Sequence, residues 1–137
     1  MSNPPTVTTR TPGEVAEGFY DAFLTGDLAR AADFLADDVA LHVPGTHALA
    51  GRHDGPAAIL QFALDSRALT VDGEHIELVD LLVGRDHAAA YCRITADRVD
   101  RTPLDNATVH LLEIDGGRIT TIWRHNRDDV TVDAFWR

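Results

Sequence analysis

Two stretches around a glycine turn set side chains that could move a proton or hold an oxygen among apolar ones in this 137-residue chain. Asn106 to Ile114 and Arg118 to Asn126 are rich in β-branched and aromatic residues, and Asp115-Gly116-Gly117 between them reads as a hairpin turn. The first strand sets Thr108 and His110 among apolar residues, and the second sets Arg124 and Asn126 among apolar residues such as Ile122 and Trp123. That mixture is what a sheet face needs when it lines a cavity that is not wholly greasy. An imidazole titrates near neutrality and suits proton shuttling, whereas a guanidinium can only donate and polarise. His42 at a strand end, Tyr20 on the first helix and Tyr91 on a middle strand extend the set of candidates.

Each candidate also has an ordinary structural role. A histidine in an apolar strand can simply bond to backbone, and His42 can anchor the loop that follows it. Arg124 can pair with an acid such as Asp97 or face solvent, since an unpaired guanidinium is costly inside a core. Tyr20 sits equally well as a core or rim aromatic. Tyr91 and Arg93 alternate opposite Cys92, and either can reach a cavity. His42, His47 and His53 show no recognised ligand spacing, so no metal site is expected. No glycine-rich phosphate loop follows a strand, and no cofactor is implied.

The elements that must position these residues follow in chain order. Thr11 caps a first helix that has Pro12 at its start and Glu14 in its first turn, with Val15, Phe19, Ala22 and Phe23 on one face up to Gly26. Asp27 starts a short second helix that turns Leu28, Ala31, Ala32 and Leu35 inward. Asp37-Asp38 closes it, and Val39 to Val43 reads as a strand stopped by Pro44-Gly45. After a loop through Gly51 and Gly55, a third helix begins near Pro56 and carries Ile59, Leu60, Ala63 and Leu64. Glu74 to Val83 and His87 to Val99 are two further strands. The tail from Val130 contains Phe135 and Trp136, which are expected to dock on the body or on a second subunit. Helices followed by an antiparallel meander predict an α+β fold.

At this length the chain is one domain, with residues 1–11 expected to be a disordered lead and 12–137 the folded unit. The lead is polar and lacks a signal peptide's apolar core, which points to the cytoplasm. No apolar run approaches a membrane span. A net charge of −10 with scattered arginines disfavours nucleic acid. The lone Cys92 fits a packing role in a reducing compartment.

The opening FYDAFLTGDLARAADFLADDVALHVPG, the Gly51 to Gly55 loop before a helix, and the ending DGGRITTIW resemble the SnoaL-like branch of the nuclear transport factor 2-like superfamily. The resemblance runs from about Pro12 to Trp136. It implies a cone-shaped domain in which three N-terminal helices pack on a curved mixed, mainly antiparallel sheet, enclosing a pocket, and it implies frequent dimers through the sheet. Residue by residue it departs from the known catalytic kits. At the ketosteroid isomerase positions this chain has Phe19 for the tyrosine, with Tyr20 one step away, Val43 for the base and His110 for the acid. The last-strand aspartate of the cyclases and limonene-type epoxide hydrolases falls on Arg124. Arg98-Val99-Asp100 looks like the Arg-x-Asp pair of those hydrolases without its water-activating carboxylate. His42 falls at the usual cavity mouth.

The same correspondence sets the register. With His110 turned in, Thr108 and Leu112 follow by alternation, and Arg124 brings Ile122 and Asn126 to the same face. A one-residue slip would instead present Trp123 and His125. The expectation is a pocket for a small apolar organic molecule, lined by Phe19, Thr108, Leu112, Ile122, Asn126 and Tyr91. Within it His110 or His42 would shuttle a proton while Arg124 and Tyr20 polarise an oxygen, giving cofactor-independent cyclisation or isomerisation of a polyketide- or terpenoid-like substrate. A non-catalytic binding module and an altered epoxide hydrolase are the alternatives.

Overall fold

The computed structural model describes residues 9–137. The first helix, α1 (Pro12–Leu24), begins where the sequence predicts it. Thr11 Oγ1 accepts from the Glu14 amide at 3.2 Å and Glu14 Oε1 accepts from the Thr11 amide at 3.1 Å, a reciprocal cap that satisfies two otherwise orphaned donors. Its apolar face buries Val15, Ala16, Phe19, Tyr20 and Ala22. Gly26, at φ +80°, then lets the chain turn into α2 (Leu28–Ala32), which Asp27 caps. Only Ala31 of this five-residue helix is buried, and Leu35, expected on it, already belongs to the next strand.

That strand, β1 (Leu35–Val43), starts earlier than the Val39 expected, because a register shift between Leu35 and Ala40 carries it past Asp37-Asp38. It returns as a short edge strand, β2 (Gly51–Asp54), where a loop was expected. Helix α3 (Pro56–Ala68) follows, burying Ile59, Phe62 and Ser66. Then come β3 (Val71–Val83), β4 (His87–Asp97), β5 (Leu104–Asp115) and β6 (Arg118–Asn126). The chain ends in α4 (Asp129–Trp136), so the expected docking tail is a helix that packs on its own body. The helices therefore do not all precede the sheet, since β1 and β2 separate α2 from α3.

The six strands order as β2-β1-β6-β5-β4-β3, with β1 parallel to β6 and every other pair antiparallel. The β5–β6 turn pairs Asp115 with Arg118 across Gly116 (φ +58°) and Gly117 (φ +77°), the two positive values that a two-residue hairpin loop of this twist demands. Alternation then sorts the faces. Ala88, Ala90, Cys92, Ile94 and Ala96 of β4 and Leu104, Asn106, Thr108, His110, Leu112 and Ile114 of β5 are all buried. They form the inner face, against which α1, α3 and α4 pack.

The expected lead over residues 1–11 lies mostly outside the described residues. Within them, Arg10 is held in place: its guanidinium donates to the carbonyls of Asp33 and Gly117, each at 3.0 Å, and lies 4.3 Å from the Phe34 ring. Among the described residues no helix is long and apolar enough to cross a membrane.

Candidate functional site

His110 and Arg124 stand directly opposite each other on β5 and β6, and Thr108 faces Asn126 as Leu112 faces Ile122. The register with Arg124 and Asn126 turned inward is thus the one adopted, and Trp123 and His125 lie on the outer face. From α1, the hydroxyl of Tyr20 reaches His110 Nδ1 at 2.9 Å, with the two rings nearly parallel and 6.2 Å apart. Both side chains are buried, at 3 % and 4 % exposure.

The tautomer that leaves the buried phenol hydrogen with an acceptor has His110 Nδ1 bare and the proton on Nε2; the opposite one would orphan the Tyr20 O–H. Burial, reinforced by the nearby Arg124 charge, drives the imidazole pKa well below its usual range, which keeps the ring neutral. Burial likewise raises the Tyr20 phenol; the Cys92 thiol adds to the rise and Arg124 opposes it. The pair is therefore an uncharged phenol–imidazole unit whose Nε2–H has no acceptor among the described residues. Arg124 adds a second such donor. Its guanidinium lies 4.8 Å from the Phe62 ring centre, its Nε is buried without a partner among the described residues, and no ion pair to Asp97 forms.

Both donors line an inner cavity of about 30 Å³, walled by Phe19, Phe23, Leu41, Ile59, Phe62, Ile76 and Ile122. Phe23 and Ile76 separate this cavity from an open groove of about 350 Å³ between α1, α3 and the start of β3. On the other side, Phe62 and Arg124 separate it from a second hollow of about 20 Å³ beneath α4, where Val43, His47, Asn106, Asn126, Val132 and Trp136 meet.

The remaining candidates divide. Phe19 and Ile122 line the inner cavity, and Asn126 lines the second hollow while accepting a hydrogen bond from Asn106 at 3.0 Å. Thr108 is on the inner face but its hydroxyl is committed to the His125 carbonyl, and Leu112 is packed in the core; neither borders a cavity. His42 is not at the cavity mouth. It points outward and stacks on Trp123, with ring centres 3.8 Å apart, because alternation on β1 turns Leu41 and Val43 inward instead. Tyr91, 39 % exposed, is also on the outer face, opposite in parity to the buried Cys92. Cys92 itself is a packed thiol whose pKa burial pushes up to about 11. The Arg98-Val99-Asp100 triplet lies outside both hollows. Arg98 donates to the carbonyls of Phe135 and Arg137 at the end of α4, and Asp100 sits in an exposed turn at φ +61°. Among the described residues no group of three or more potential metal ligands gathers.

Phe62, Asn106 and His47 are among the lining residues that the sequence reading did not assign to a pocket. Phe62 is on α3, where helical spacing from Ile59 would have found it. Asn106 shares the inward parity of His110. His47 is in a loop that has no periodicity to read.

Comparison with known proteins places these features in a group. The SnoaL-like domain model matches residues 16–122. An uncharacterised protein of Mycobacterium tuberculosis is 33% identical over 118 residues, which is 85% of this chain and 89% of the relative. The structure of Bal32a, from a soil-derived mobile gene cassette, superposes with a TM-score of 0.86 at 27% identity, covering 92% of this chain and 96% of that one. Wild-type IdmH, a putative polyketide cyclase from Streptomyces antibioticus, shares the fold at 21% identity with a TM-score of 0.70, over 91% of this chain and 96% of its own.

Proposed function

Because this chain belongs to the SnoaL-like domain family, whose superfamily includes polyketide cyclases and isomerases, we propose that it acts without a cofactor on an apolar, carbonyl-bearing molecule. The proposed reaction is an enolisation-driven cyclisation or isomerisation. One observation carries the reading: His110 and Arg124 both line one apolar cavity, and each has a buried N–H donor, Nε2 and Nε, with no acceptor among the described residues. Leaving such donors bare costs roughly 1–3 kcal/mol each, and a ligand oxygen that takes both recovers it. A carbonyl oxygen gains most from them as it becomes an enolate, so the pair favours the transition state over the ground state.

The roles differ from the sequence expectation. His110 is a neutral donor in this scheme rather than a shuttle, and Tyr20 is a positioning residue that holds the proton on Nε2. His42 has no part. No carboxylate among the described residues lines the inner cavity, so a solvent water or hydroxide that enters through the groove takes the α-proton, and the substrate must have an acidic C–H, as polyketone-like chains do. The inner cavity alone holds little more than a water. A ligand body therefore occupies the adjoining groove, whose size suits a small organic molecule, and reaches the donors when Phe23 and Ile76 move apart.

The test is hydrogen exchange at carbon. With β-tetralone in heavy water, the protein should speed α-deuteration, and His110→Leu should lower that acceleration by about 10²-fold. Tyr20→Phe should lower it less and let the Nδ1–H and Nε2–H tautomers mix in nitrogen-15 spectra. The same lack of an internal carboxylate favours a second reading, a carrier that only binds. Ligand-induced thermal stabilisation with no exchange above background would establish the carrier and remove the enzyme.

A further inference from the structure

Three buried side-chain atoms lack hydrogen-bond partners among the described residues: His110 Nε2, Arg124 Nε and His47 Nε2. All three are donors, and all three line the two adjoining hollows. His47 matches the others in its chemistry. Its Nδ1 accepts from the Leu49 amide at 3.1 Å, which puts the proton on Nε2, and its side chain is only 1 % exposed. Asp133 Oδ1 on α4 stands 3.8 Å away, beyond hydrogen-bond reach, and already accepts from the Thr46 amide at 2.9 Å, while the Pro44 backbone beside the ring makes no well-formed bond to Nε2.

Resting on the proposed carbonyl-binding site, we infer that the hollow beneath α4 is a second subsite of the same ligand, in which His47 Nε2–H donates to a neutral oxygen acceptor at the ligand's far end. The acceptor must be neutral, because the carboxylates of Glu74 and Asp133 flank the hollow and would repel an anion. The inner cavity differs, since Arg124 lines it and no carboxylate among the described residues does, so it tolerates a developing enolate. Arg124 and Phe62 border both hollows, so a ligand that enters from the groove with its far oxygen leading, and displaces Phe62, brings that oxygen to His47 while its ketone stays at the His110 and Arg124 donors. The site thus selects an apolar molecule with two oxygens of different character, a ketone able to enolise and a remote ether, ester or second ketone oxygen. His47 determines the specificity for the latter.

The experiment compares β-tetralone derivatives that carry either a methoxy or an ethyl group on the ring carbons farthest from the ketone, which match in shape and differ in one acceptor. Wild-type protein should bind the better methoxy isomer about tenfold more tightly than its ethyl twin, the value of one neutral hydrogen bond. His47→Leu should bring that ratio to about one. His47→Gln, which keeps an N–H donor, should restore part of the preference and shows that loss in the leucine variant is not misfolding. A wild-type ratio of one at every position, a ratio that His47→Leu leaves intact, or crystals of the complex with only a water on Nε2 would overturn the second subsite, while His110-dependent binding of β-tetralone would still stand. Failure of β-tetralone to bind at all would take both proposals down together.

Discussion

A histidine locked in its neutral form leaves a mark on stability as well as on chemistry. His110 is surrounded by Tyr20, Cys92 and Arg124, none of which favours protonation, and its pKa lies well below the ordinary 6.5. The unfolded chain takes up a proton near that value and the native chain does not, so stability is lost as pH falls from about 6.5 toward the native pKa. His47 contributes in the same direction, because burial lowers its pKa although Asp133 pulls the other way. Each histidine kept neutral adds a slope of about 1.4 kcal/mol per pH unit. Urea melts between neutrality and mild acid should show this decline, and His110→Gln should flatten it by about one histidine's share. An unchanged slope in that variant would mean that the imidazole is protonated in the native state. The site's legibility was likewise decided residue by residue. His110 and Arg124 could be placed by counting outward from the Gly116-Gly117 turn, since a two-residue loop fixes register. The parity that excludes His42 is also present in the sequence, in Val39, Leu41 and Val43 on alternate positions, whereas its place beside Pro44-Gly45 matches a cavity mouth only by family resemblance. Tyr91 is the same case, outvoted by Ala88, Ala90, Cys92 and Ile94.

Among the elements, the least legible were those with the weakest local signal. Strand β2 is four residues, Gly-Arg-His-Asp, exposed for most of its length, and it exists only because β1 offers it an edge. Helix α4 did carry a signal. Asp128 caps it through the Thr131 amide, and Val132, Phe135 and Trp136 fall at helical spacing, but eight residues at a chain end are too few to separate a helix from a docked tail by pattern alone. This helix is also the roof of the second hollow, and it is tied down at both ends. Asp133 accepts from the Thr46 amide and hydroxyl, while Arg98 and Arg101 donate to carbonyls near its C-terminus. Gly45 makes the first tie possible. It sits at φ +113°, and a β-carbon there would run into the Asp133 carboxylate. Gly45→Ala should therefore cost roughly 1–3 kcal/mol through backbone strain plus the broken tie. It should also speed amide exchange along α4 while leaving β5 and β6 protected. In an Asp133→Ala background the steric part disappears, so the double variant should be more stable than the sum of the two losses predicts. Strict additivity would show that Gly45 and Asp133 do not share the tie.

At the scale of the whole molecule, the sheet has a second face that the helices leave uncovered, and its composition is not that of an ordinary solvated surface. Register places Leu82, Ala89, Leu111, Trp123 and His42 side by side across β3, β4, β5, β6 and β1, an unbroken row in which only the last is polar. Leu82 is 60 % exposed and Trp123 36 %, and Tyr91 lies on the same face one ladder step away. Contiguous apolar surface of this kind is uncommon on monomers, and a sheet face can be covered by a second copy of itself about a two-fold axis. The expected outcome is a homodimer through this face. Its net charge, −10 for each chain, sets an opposing term, because two acidic bodies repel at low ionic strength. Association measured by sedimentation should therefore strengthen as salt is added, the reverse of an interface held by ion pairs. Trp123→Lys together with Leu82→Lys should give a monomer while leaving the Tyr20–His110 pair and the inner cavity undisturbed, since both lie on the opposite side of the sheet. A monomeric wild-type protein at all salt concentrations, or a dimer indifferent to those two lysines, would mean that the outer face is not the surface through which two chains meet.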